Sequence, residues 1–130
     1  MSPHININGP ETPDEVPLAP AGVPLEFEVL SAEEKVSSSE RLMLAVTMSI
    51  TTEGDGQGDR IYDYFTEVAT NKRTQVALVR LAKAVGVEVG AGGFDSEELI
   101  GQKGQFVLKE DVWQGKKSRK LQDYIVPKVG

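Results

Sequence analysis

Leu25, Phe27 and Val29 alternate with Glu26 and Glu28, the period-two pattern of a strand with one buried face. The polar stretch Ser31 to Glu40 reads as a turn or an irregular crossing. From Arg41 to Thr51 the alternation returns at its clearest. Leu42, Leu44, Val46, Met48 and Ile50 mark the core side, and Met43, Ala45, Thr47 and Ser49 the other. The glycine-rich loop Glu53 to Asp59 predicts a hairpin before Arg60 to Phe65 resumes an extended pattern, with Ile61, Asp63 and Phe65 alternating with Tyr62 and Tyr64. The period then changes. Ala77, Leu78, Leu81, Ala82 and Val85 recur at helical spacing behind Thr70 or Asn71, either of which suits an N-cap, and Gly86 is placed to end the helix.

Asp95 and Glu98 have the form of a capping box for a short turn ending near Gly101. Gln105 to Trp113 and Lys120 to Val126 read as two strands around Gln114-Gly115-Lys116-Lys117-Ser118-Arg119, a basic hairpin tip. The resulting order, β-β-β-α-β-β, predicts a mainly β fold: an OB-fold-like five-stranded antiparallel barrel with one helix between strands 3 and 4. A curved antiparallel sheet without closure is the structural rival. Six of the seven prolines fall within residues 1–24, which therefore read as an extended or disordered Pro-rich arm preceding a single domain over 25–130.

Composition removes most catalytic chemistry. With no cysteine there are no disulfides, thiolate nucleophiles or cysteine metal sites, and the single histidine, His4, lies in the arm. The acidic loop Glu53, Asp55 and Asp59 does not make an EF-hand, because counting from Asp55 places Thr66 where the twelfth-position glutamate belongs. No enzyme, cofactor or metal is expected. No apolar run approaches the ~20 residues of a membrane span, and the N-terminus lacks a signal-peptide pattern, so a cytoplasmic protein without membrane association is expected.

The net charge of −6 is unevenly placed: residues 1–59 carry 11 acidic and 2 basic side chains, residues 60–130 carry 9 and 12. A basic surface inside an acidic protein steers polyanions through its local field. The last hairpin adds aromatic residues to that charge. Trp113 shares a strand face with Val107, Lys109 and Asp111, close to Lys116, Lys117, Arg119 and Lys120, with Tyr124 on the returning strand. Single-stranded nucleic acid requires this mixture: flat rings stack on bases while cations offset phosphate charge. Trp113, Tyr124, Tyr62 and Tyr64 are the candidate stacking residues. Arg60, Lys109, Lys116, Lys117, Arg119 and Lys120 are the candidate phosphate contacts, with Arg41, Lys72 and Arg73 behind them. The competing structural roles are an indole sealing the barrel end, ordinary strand tyrosines, and a cationic edge that blocks aggregation.

The segment DRIYDYFTEVATNKRTQVALVRLAKAVGV (59–87), followed by FDSEELIGQKGQFVL (94–108), resembles a family of small bacteriophage proteins filed as a domain of unknown function. Its members are similar to single-stranded-DNA-binding proteins of phage replication and recombination with an OB-like fold. The likeness covers residues 25–126 and is sharpest at Ala84-Val85-Gly86-Val87 and Glu98-Leu99-Ile100-Gly101. It implies sequence-nonspecific single-stranded DNA binding in the host-cell cytoplasm, alongside replication or recombination proteins. The chain ends in Pro127-Lys128-Val129-Gly130, without the acidic tip many bacterial single-strand binders carry. Exposed strand edges at 25–30 or 121–126 are suited to a homodimer or higher oligomer. The alternative function is a non-enzymatic interaction or assembly adaptor, docking through the Pro-rich arm.

Overall fold

Backbone pairing, more than side-chain polarity, decides where the strands end. The computed structural model describes residues 17–36, 40–91 and 93–127, and β1 runs from Pro24 to Val36. It takes in Ser31 to Val36, the first part of the polar stretch expected to be a turn. A bulge between Val29 and Ser31 leaves Leu30 unpaired, and Ser31 to Val36 then pairs with Thr47 to Leu42 on β2 (Leu42–Ile50). The extra residue moves the inward face from Leu25, Phe27 and Val29 to Ala32, keeping the buried side continuous.

The other elements are β3 (Arg60–Thr66), α1 (Lys72–Ala84), a 3₁₀ turn at Ser96–Leu99, β4 (Lys103–Trp113) and β5 (Lys116–Ile125). The five strands form one antiparallel sheet in the order β3-β2-β1-β4-β5, so β1 pairs with both β2 and β4. Backbone pairing stops at β3 and β5. A side chain links them instead: the Tyr124 hydroxyl donates to Asp63 Oδ2 at 2.7 Å.

The core lies on the inward face. Phe27 stacks on Phe106 with centroids 4.6 Å apart, and Tyr124 tilts against Phe27 at 5.9 Å. Met48, Ile50, Leu81, Leu99 and Leu108 are fully enclosed with them. Asn71 starts α1 by accepting from the backbone N–H groups of Arg73 and Thr74 at 2.9 and 3.2 Å. Leu81, Ala82, Ala84 and Val85 face the core, whereas Ala77, expected on the same stripe, is exposed. The helix C-terminus packs so closely on β4 that a Cβ at Gly104 would lie 2.9 Å from the Ala84 carbonyl oxygen.

Two further expectations differ from the structure. The segment before β1 is not separate from the domain: Ala19 is 1% exposed within the core, and Gly22 N–H donates to the Leu108 carbonyl at 2.9 Å. Residues 1–16 of the Pro-rich arm lie outside the described residues. The basic hairpin tip is also absent. Gln114 and Gly115, with φ of 50° and 78°, make a two-residue turn, and Lys116, Lys117 and Arg119 are strand residues of β5.

Candidate nucleic-acid interface

Alternation along β3 turns Ile61 and Phe65 inward and Tyr62 and Tyr64 outward, leaving the tyrosines 54% and 57% exposed. Two residues of strand separate the rings by about 6.8 Å along the chain. Arg60 continues the same outward row, paired with Ser49, while Tyr62 and Tyr64 lie beside Thr47 and Ala45 of β2. These small neighbours leave the ring faces open to solvent.

The second group stands on the outward face of β4 and β5. Lys109 is directly opposite Lys120, and Trp113 opposite Lys116. The indole of Trp113 lies outside the described part of the structure. Lys117 and Arg119 alternate to the other face, where both approach Glu110 Oε1, at 3.9 and 3.7 Å. Arg119 is also a fastener: its Nε donates to the Ala19 carbonyl at 2.6 Å and its Nη1 to the Ser118 carbonyl at 3.2 Å.

Tyr124 joins neither group. It is 4% exposed with Phe27 against its ring, so no base can stack on it. Its hydroxyl is pushed well above the ordinary tyrosine range, first by burial and then by the Asp63 charge, and remains a donor. Burial also raises Asp63, against the lowering effect of the bond from Tyr124. The aspartate at the middle of the tyrosine row is thus a structural acceptor facing inward.

Across the sheet, Glu26, Glu28 and Glu33 of β1 separate the tyrosines from the lysines. Across the gap between β3 and β5 the two groups approach each other. Arg60 and Ile61 line one cleft together with Ser118 and Arg119, and Asp63 reaches Tyr124, so residues 60–63 run beside residues 118–124. Asp123 of β5 is held by Arg80 of α1 at 2.7 and 2.9 Å, and its pKa is lowered by that bond. Of the second-line cations, Arg41 pairs with Glu67, while Lys72 and Arg73 occupy the first turn of α1.

No local pattern marks the Ala19–Arg119 or Arg80–Asp123 contacts, whose partners lie 100 and 43 residues apart. Among the described residues no helix is long and apolar enough to cross a membrane. Compared with known proteins, the chain matches no family model and no curated protein.

Proposed function

We propose that the chain binds single-stranded DNA without sequence preference, as an OB-fold-like module whose barrel is completed where β3 meets β5. Two observations favour the fold reading. The central position of β1 between β2 and β4 suits such a barrel, and the Tyr124–Asp63 bond brings the outer strands together. The binding reading rests above all on Tyr62 and Tyr64, two exposed rings on one strand face in line with Arg60. Successive unstacked bases lie on the two rings, Arg60 and Lys120 hold phosphates on either side of the gap, and Lys109, Lys116 and Trp113 extend the track. Tyr124 serves the fold instead, and Lys117 and Arg119 lie off this row, on the face of Glu110. A role in phage replication or recombination accords with such a strand-coating activity.

Titration of labelled oligo-dT tests this. Tyr62→Ala and Tyr64→Ala are each expected to weaken binding by about 1–3 kcal/mol, the value of one base–aromatic stack. The log–log salt slope is expected to gain about −0.7 per phosphate contacted. Absence of any complex at low salt, together with a nuclease-insensitive protein complex on purification, would make the chain an interaction adaptor.

A further inference from the structure

The gap between β3 and β5 is not uniformly filled. Tyr124 and Asp63 close one end, and beyond them lies an open cleft of about 280 Å³. Leu18, Ile50 and Ile61 give it apolar walls, and Ala19 is packed at its base. Its polar lining is Arg60, Arg119, Ser118 and Asp59, two guanidinium cations against one carboxylate. Drug-sized ligands occupy roughly 300–1,000 Å³, so this space suits something smaller.

The two cations differ in kind. Arg119 is only 18% exposed and is held by its bonds to the Ala19 and Ser118 carbonyls. Its guanidinium is therefore fixed before any ligand arrives, which reduces the ordering a bound anion requires. Arg60 is exposed at the mouth and stands in the outward row with Tyr62. Glu110, 3.7 Å from Arg119 Nη1, offsets part of that charge.

We infer that this cleft receives one sugar-phosphate unit of the bound strand, with the phosphodiester between Arg60 and Arg119 and the sugar against Leu18 and Ile61. The assignment rests on the single-strand reading above and adds a specific seat to it. A chain stacked on Tyr64 and Tyr62 and continuing past Arg60 reaches the mouth of the cleft, because the three residues follow one another along β3. The seat fixes the strand's register at one end of the track while leaving its bases unread.

The test measures oligo-dT affinity with the full chain, by anisotropy, for variants that leave the tyrosines and lysines intact. Asp59→Asn removes the one carboxylate lining the cleft and is expected to tighten binding about two- to fivefold, the scale of one partly screened charge contact. Asp55→Asn, in the same loop but not lining the cleft, controls for general charge and is expected to change affinity less. Leu18→Glu is expected to bind about two- to fivefold more weakly than Leu18→Gln. That pair shares the loss of packing and differs only in charge. Equal effects of Asp59→Asn and Asp55→Asn, with Leu18→Glu and Leu18→Gln indistinguishable, would overturn the cleft assignment while wild-type binding stood. If the wild-type chain captured no oligonucleotide at low salt, the single-strand reading and the cleft would fall together.

Discussion

Asp63 is a carboxylate whose surroundings alter its chemistry. Burial raises its pKa above the 3.8 of an ordinary aspartate, so its folded form holds a proton more readily than its unfolded form. The stability this contributes is complete below the unfolded value and is lost as pH rises through the folded one. Asp63→Asn keeps an acceptor for the Tyr124 hydroxyl without the desolvated charge. Its stability relative to wild type should therefore increase from about pH 3.5 to neutrality, as read from urea midpoints. Tyr124→Phe leaves the carboxylate without that donor and should lose about 1–3 kcal/mol at pH 7. Asp123 behaves with the opposite sign: its bond from Arg80 lowers its pKa, so the associated stability is lost as pH falls through the folded value.

Among the elements, the loop between β2 and β3 does more than reverse the chain. Gly56 has φ of +84°, and a Cβ there would stand 2.4 Å from the Ala19 Cβ. Gly58 has nearly the same φ, +85°, with open space around it. Gly58→Ala should therefore show only the backbone strain, about 1–2 kcal/mol. Gly56→Ala should show that strain plus overpacking against the chain segment before β1, a further ~1–3 kcal/mol by chemical denaturation. Similar losses for the two would mean that the loop and that segment do not touch in solution. The β4–β5 hairpin was legible as two strands around Gly115, but not in its turn length. Polar strand residues such as Lys116 and Ser118 look like loop residues until pairing with Trp113 and Asp111 is known.

At the scale of the whole molecule, the contacts outside the sheet pairing join groups far apart in the chain. Ala19 packs beneath Arg119, α1 bonds to β5 through Arg80, and β3 meets β5 through one tyrosine. A charge at Ala19 would have to be buried among Ile50 and its neighbours, so Ala19→Asp should lower global stability by at least about 2 kcal/mol. An unchanged urea midpoint would show that the segment before β1 is dispensable. Distribution of charge matters at this scale too. The β1 glutamates divide one side of the sheet, and across the gap between β3 and β5 Arg60 lines one cleft with Ser118 and Arg119.

Alternation and helical spacing by themselves determined the order of elements along the chain, a helix beginning behind Thr70 or Asn71 and ending by Gly86, and the inward rows of β1 and β2. Those are properties of neighbours in sequence, repeated every two or every three to four residues. Tertiary structure alone decided that Tyr124 is core while Tyr62 and Tyr64 are surface, and that Arg119 fastens the chain while Lys120 faces water. An aromatic or cationic side chain carries no mark of which face it will occupy at the edge of a strand pattern. Bulges in β1 and between β4 and β5 shift the alternation by one residue, and only pairing with a distant strand fixes where that shift occurs.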